Sequence, residues 1–246
     1  MPPNGALHGI SLDHLLRINL LWIGVVCGLV QWFLIYCLFA RPVISLPHVV
    51  VSAKKVRLIE FVVLTGTIGL FAWMGITGQR MWAKDPLTNS SPTALQIQVV
   101  GMQFQWYFRY AGADGQFGRN IPELEDAATG NPLGVDPLDP VGKDDIVEIE
   151  LVLPKGREVE LELNSVDVIH ELSIPGMRIK ADAVPGQVAH LHFTPIVEGE
   201  YPIMCNQLCG KGHEQMHTCL RVVSESVFES WFAEQEKAAL AQNIAR

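Results

Sequence analysis

Two long apolar runs lead the chain, and a different texture follows them. Residues 18–40 form 23 consecutive positions interrupted only by Asn19 and Gln31. At about 1.5 Å of rise per residue, a helix of that length crosses a hydrocarbon core of roughly 30 Å. A second run, 58–83, opens near Glu60 and carries Thr65, Gly66, Thr67 and Gly69. Small residues of this kind suit close helix–helix contact in lipid. The pattern therefore predicts a transmembrane helical hairpin, with an outer N-terminal segment over 1–17, a connecting loop over 41–57 and a linker over 84–94. The polar residues 1–16 lack a basic cluster before the apolar core, so no cleaved signal peptide is expected.

Beyond the linker the period changes from helical to two. Leu95-Gln-Ile-Gln-Val-Val, Ile146-Val-Glu-Ile-Glu-Leu-Val-Leu, Val159-Glu-Leu-Glu-Leu, Val188-Ala-His-Leu-His-Phe and Leu220-Arg-Val-Val alternate apolar and polar positions. Turn signals such as Pro185-Gly and Glu198-Gly separate them. Short strands punctuated in this way predict an antiparallel all-β sandwich or barrel over 95–225. Residues 119–145, rich in Asp, Gly and Pro, read as a long surface loop. The stretch 226–246 places Val227, Phe228, Trp231, Phe232 and Leu240 in a helical rhythm, which predicts a short amphipathic C-terminal helix packed on the domain.

Charge divides along the same boundary. Residues 1–85 carry 7 Lys/Arg against 3 Asp/Glu, whereas 86–246 carry 11 against 23. A strongly acidic domain favours a basic protein partner and excludes nucleic acid, whose phosphates it repels. The loop between the runs holds Arg41, Lys54, Lys55 and Arg57 and no acid, so the positive-inside bias places it in the cytoplasm and both termini on the opposite side. Trp73, Trp82, Arg80 and Lys84 are candidate interface anchors at the outer end of the second helix.

The chemistry concentrates in Cys205-Asn-Gln-Leu-Cys-Gly-Lys-Gly-His-Glu-Gln-Met216. Thiolate, imidazole and thioether together are the ligands of copper electron-transfer sites. Two cysteines on one loop can bridge a pair of copper ions, each of which then needs an imidazole and a weak axial donor. A Cys205–Cys209 disulfide is the alternative, and it leaves the spacing of His213 and Met216 without a reason. A second imidazole must come from elsewhere. His170, just after a strand, is the preferred candidate. His190 and His192 are alternatives that otherwise read as surface or packing residues. His217 is expected to point away, and His8, His14 and His48 lie too far off in topology. Cys27, Cys37 and Cys219 read as packing thiols.

This loop, with Asp167-Val-Ile-His170 and Lys180-Ala-Asp-Ala-Val-Pro-Gly186 in the same order, resembles cytochrome c oxidase subunit II of the heme–copper oxidases, over nearly the whole chain. The resemblance implies a cupredoxin-like Greek-key sandwich and a binuclear copper (CuA) shell of His170, Cys205, Gln207, Cys209, His213 and Met216, with Gln207 acting through its backbone carbonyl. Relatives commonly carry Glu at that position, where its carboxylate also helps to bind interfacial magnesium. Neutral Gln207 is a weaker ligand for a hard cation, so magnesium is expected only if other groups complete its shell. The stretch Gly101-Met-Gln-Phe-Gln-Trp-Tyr-Phe-Arg-Tyr110 is similar to the family's aromatic segment, with Phe104 where many relatives have the tryptophan that takes the electron from cytochrome c, and Trp106 at the second tryptophan. Part of this run is also what a sandwich core requires.

The resemblance implies an electron-entry subunit of a proton-translocating oxidase in the bacterial cell membrane. Electrons would come from a cytochrome c and pass to a heme-containing subunit I, where oxygen is reduced to water. Other oxidase subunits and the lipid bilayer complete the partners. The chain contains no Cys-x2-Cys-His, so the donor is expected to be a separate protein. Glu60 has two readings: a proton entrance to subunit I, or an interfacial acid paired with Arg57. Rival functions are a copper subunit of a related nitric oxide reductase, a copper-free quinol oxidase scaffold, and a copper-delivery protein. The cysteines and His213 argue against the scaffold, and the anchored sandwich argues against delivery.

Overall fold

A computed structural model describes residues 2–39, 52–84 and 91–244. Most of the loop 41–57, with Arg41 and His48, and the linker positions 85–90 lie outside the described residues, as do the side chains of Trp82 and Lys84. The chain forms two units, one of residues 13–85 and one that joins the N-terminal segment through Leu12 to residues 86–246.

The first unit is two helices, α1 (Gly9–Phe39) and α2 (Ala53–Lys84). Both are long and apolar enough to cross a membrane, and the most apolar 18-residue stretch of each has no residue buried within the chain. α1 begins nine residues before the apolar run, because the polar stretch from Gly9 to Arg17 continues the same helix. Thr65, Thr67 and Thr77 return their hydroxyls to the carbonyls one turn back, at 2.6–2.8 Å, which satisfies them without water. Cys27 and Cys37 are exposed on α1, so the packing role expected of them is not met inside this chain.

The second unit is the expected sandwich. One sheet is built from β1 (Leu95–Met102), β2 (Gln105–Tyr110), β3 (Ile146–Glu148), β5 (Val159–Ser165) and β8 (Ala189–Phe193), in the order β3-β2-β1-β5-β8. The other comprises β4 (Leu151–Pro154), β6 (His170–Ile174), β7 (Ile179–Ala183), β9 (Gly199–Cys205) and β10 (His217–Val223), in the order β4-β10-β9-β6-β7. Most pairs are antiparallel, but β1–β5 and β4–β10 are parallel, because the chain crosses between sheets to reach them. The alternation read from the sequence sets the faces. Ile97, Val99, Leu161 and Leu163 enter the core, while Gln96, Gln98, Glu160 and Glu162 line the outer face. Between the sheets the Tyr110 hydroxyl donates to the Val152 carbonyl at 3.0 Å and accepts from its N–H at 2.8 Å. The C-terminal helix α3 (Glu225–Ile244) covers this tyrosine with Trp231 and Phe232, whose rings meet it edge-on.

Two segments outside the strands are held against the sandwich. Residues 119–145 run over the surface but are tied down from inside. Wholly buried Arg109 pairs with Asp145 and donates further to Gln98, Asn120 and the Gly118 carbonyl, while Asn131 and Leu133 of the segment itself are buried. The N-terminal segment is also tied to the sandwich. Ala6 bridges to Pro195, with Leu7 N–H on Thr194 O at 3.0 Å and Ile196 N–H on Gly5 O at 2.7 Å. The start of the chain therefore lies on the sandwich.

Candidate metal centre

Three pieces of backbone converge at one end of the sandwich. His170 opens β6, Cys205 closes β9, and a loop ending in the 3-10 turn His213–Gln215 leads back through Met216 into β10. Cys205 sits beside Leu172 in the β6–β9 ladder, which brings the His170 strand next to the cysteine strand. The loop is pinned at its root. Cys205 N–H donates to Met216 O at 3.1 Å, Asn206 N–H to Glu171 O at 3.0 Å and His213 N–H to Gly210 O at 3.2 Å.

The donors then fall into one cluster. Cys205 and Cys209 Sγ are 3.9 Å apart. A disulfide requires about 2.05 Å, so both are free thiols. His170 Nδ1 is 3.9 Å from Cys205 Sγ, and His213 Nδ1 is 3.5 Å from Cys209 Sγ. The Gln207 carbonyl lies 3.2 Å from Cys205 Sγ, and Met216 Sδ 3.9 Å from Cys209 Sγ. Each sulfur thus has its own imidazole and its own weak donor. Metal–thiolate bonds of about 2.3 Å let one ion touch both sulfurs at this separation. The set is buried except for His213, which is half-buried, and the side chain of Gln207, which is exposed. Burial and the adjacent Cys205 push the Cys209 thiol up to about 11.

The surrounding residues hold these groups in place. His170 Nε2 lies 2.9 Å from Asp167 Oδ1, leaving Nδ1 turned toward the sulfurs. Burial works to raise the Asp167 carboxyl, but hydrogen bonds from His170, Gln103 and Val168 outweigh it and hold it below the usual carboxylate range. Gln103 joins both halves: its backbone N–H donates to Asp167 Oδ2 at 2.7 Å, and its side chain donates to the Cys209 carbonyl at 2.5 Å. Trp106, wholly buried, meets the His170 ring edge-on at 5.8 Å. Phe104 lies over the loop glycines. A Cβ on Gly212 would come within 2.4 Å of its ring.

The family model described as cytochrome C oxidase subunit II, periplasmic domain, matches residues 95–223, the strands and loop that carry this cluster. The chain belongs to the cytochrome c oxidase subunit II family. The alternative cytochrome c oxidase subunit 2 of Bradyrhizobium diazoefficiens is 31% identical over 231 residues, covering 93% of this chain and 81% of that protein. The cytochrome c oxidase subunit 2 of Thermostichus vulcanus is 31% identical over 61% of this chain and 36% of its own length. Among solved structures, the periplasmic domain of subunit II from Bradyrhizobium japonicum is 25% identical over 60% of this chain and 97% of that one, with a TM-score of 0.43.

Of the residues singled out in this subunit II sequence, His170, Cys205, Gln207, Cys209, His213 and Met216 are brought together, with Phe104 and Trp106 beside them. His217 is exposed on β10, and His190 and His192 lie on β8. Glu60 is exposed on α2 in the other unit. Asp167 and Gln103 act as holding residues that the sequence does not mark as such. Both stand inside stretches that carried the resemblance, but nothing in their spacing says which neighbour they bind.

Proposed function

We propose that this chain is the electron-entry subunit of a cytochrome c oxidase, accepting electrons from a separate cytochrome c and passing them to the heme–copper subunit I, where oxygen is reduced to water and protons are translocated. The observation that carries this reading is the pairing of donors. Two thiols 3.9 Å apart, each with one imidazole and one weak donor beside it, suit two like ions sharing both sulfurs. His170, Cys205, Cys209, His213, Met216 and the Gln207 carbonyl would hold the pair. When bound, a copper pair held by these residues would supply one-electron redox chemistry.

The chain's own residues fit that task. Asp167 and Gln103 fix His170 and the loop against each other, so the donors keep one geometry. Burial of both cysteines excludes water. Leu208, 78% exposed at the loop tip, and half-buried Phe104 give a contact surface at the centre. The acidic balance of residues 86–246 attracts a basic donor, and salt weakens that attraction. Phe104 and Trp106 are the proposed aromatic entry and inner contact for the electron. Magnesium is not assigned, because the Gln207 side chain is neutral.

In the membrane, α1 and α2 span the bilayer of the bacterial inner membrane, with the loop 41–57 cytoplasmic and the sandwich on the periplasmic side. Support comes from the loop charges and from the N-terminal segment, which lies on the same sandwich as residues 91–244. Glu60, near the cytoplasmic end of α2, is a candidate proton entrance. The test is the complex purified from membranes. Reduced cytochrome c should be oxidised with oxygen consumed, and Cys209→Ser should abolish that while subunit I keeps its hemes. Reduction of nitric oxide in place of oxygen would overturn the reading.

A further inference from the structure

The outer face of the first sheet carries a second group of metal-donor side chains. β8 presents His190 and His192 to one side while Leu191 between them enters the core. In the antiparallel register with β5, His192 stands opposite Glu160, and His190 opposite Glu162. Glu160 lies five residues back along its strand from Ser165, the residue paired with Gly101 beside the copper loop, a separation of about 16 Å at the usual strand rise.

Glu160 Oε1 is 2.9 Å from His190 Nδ1 and 3.8 Å from His192 Nε2. Its other oxygen accepts the Gln96 side chain at 2.6 Å, which fixes the carboxylate's orientation. His192 is only 4% exposed and the Glu160 side chain 10%, so two titratable groups are nine-tenths buried against each other. The arrangement is nonetheless incomplete. His192 Nδ1 is buried with no partner, and Nε2 stops beyond hydrogen-bond reach of Glu160. A buried imidazole left in that state is costly.

We propose that Glu160, His190 and His192 form a second metal site, for a borderline divalent ion of the zinc class, independent of the thiolate loop. Two imidazoles and one carboxylate are the donor set of such ions, and they lack the thiolates that a soft ion would favour. Ligand atoms around a tetrahedral zinc stand about 3.3–3.5 Å apart, and the observed 2.9 and 3.8 Å fall on either side of that spacing. Among the described residues, the three-ligand group already drawn within 4.8 Å is His170, Cys205 and Cys209. The second site therefore closes only when the half-exposed His190 ring gives up part of its 2.9 Å contact with Glu160 and turns toward His192. The fourth position is left to water. Bound there, the ion fastens edge strand β8 to β5.

The test uses the full chain in detergent with its copper loaded, so that the thiolate loop is occupied. Zn2+ is the probe, with bound zinc and copper counted after equilibrium dialysis and zinc affinity measured by calorimetry. One zinc per chain is expected in addition to copper. His192→Ala should remove it, and His190→Ala, at a half-exposed position, should weaken it at least tenfold, with the copper absorption unchanged in both. Should His192→Ala fail to fold, His190→Ala and Glu160→Gln decide. Absence of zinc, or undiminished affinity in His190→Ala and Glu160→Gln, overturns the site.

Discussion

Gly101→Ala tests how tightly His170, a proposed ligand, is held. A Cβ at Gly101 would stand 2.9 Å from His170 Cδ2, 3.2 Å from its Cγ and 3.1 Å from Trp106 Cζ3. Comfortable carbon contacts lie at about 3.5–4.0 Å, so the methyl must displace its neighbours by roughly half an ångström. Neither neighbour has space, since both rings are wholly buried. His170 is further restrained by its 2.9 Å contact with Asp167, so it cannot turn aside without losing that bond. Overpacking of this kind costs about 1–3 kcal/mol. For a domain of this size that lowers Tm by about 2–12 °C, taking roughly 2–4 °C per kcal/mol. The sign is diagnostic. Where alanine fits, replacing glycine stabilises by about 0.4–1 kcal/mol through the unfolded chain. Thermal unfolding followed by circular dichroism gives the stability, and the visible absorption of the copper-loaded protein reports on the ligand. A variant with equal or higher Tm and an unchanged spectrum would refute the packing argument.

Other consequences follow from the same geometry. Asp145→Ala leaves Arg109 charged and buried without its counter-ion, and should cost about 3–5 kcal/mol in chemical denaturation while leaving the copper spectrum intact; replacing both partners by apolar residues should cost less than either single change. Asp136 is held below the usual carboxylate range by its hydrogen bond from the Arg119 side chain, and Asp139 by the Arg119 backbone N–H. Folding thus favours their ionised forms, so the stability they add is full above the ordinary aspartate range and is lost as pH falls through their lowered values. The double variant Asp136→Asn/Asp139→Asn should show a shallower loss of stability below about pH 4, and an unchanged acid limb would contradict this. Copper uptake must displace the Cys209 proton, held up to about 11. Below that pH, copper affinity in competition titrations should fall by up to about tenfold per pH unit for this thiol alone.

How much could be read from the sequence depended on whether a feature leaves a periodic trace. The two helices, the strand faces and the copper loop all do: apolar length, a period of two and a spaced set of sulfur and nitrogen donors. Strand partners do not, because alternation fixes which face Val159 or Leu161 presents without naming a neighbour, and the parallel β1–β5 pair arises only when the chain crosses between sheets. The composition of residues 119–145 predicts a long surface loop and says nothing of what holds it. Their anchor is a buried arginine meeting a buried aspartate, a pairing that ordinary burial preferences place outside the core. His192 reads as surface or packing, and its 4% exposure depends on Glu160 arriving from another strand. Asp167 and Gln103 are short-range clamps whose partners are set by the fold, so their part in holding His170 and the loop became visible only in three dimensions.

We propose that the Cys205–Met216 loop and His170 hold two copper ions that share one electron. Metal analysis of the purified, copper-loaded chain combined with electron paramagnetic resonance tests it most directly. Two copper ions per chain are expected, with a hyperfine pattern from an unpaired electron shared equally between both nuclei and lost in Cys205→Ser. One copper per chain with the spectrum of a single blue-copper ion would contradict it.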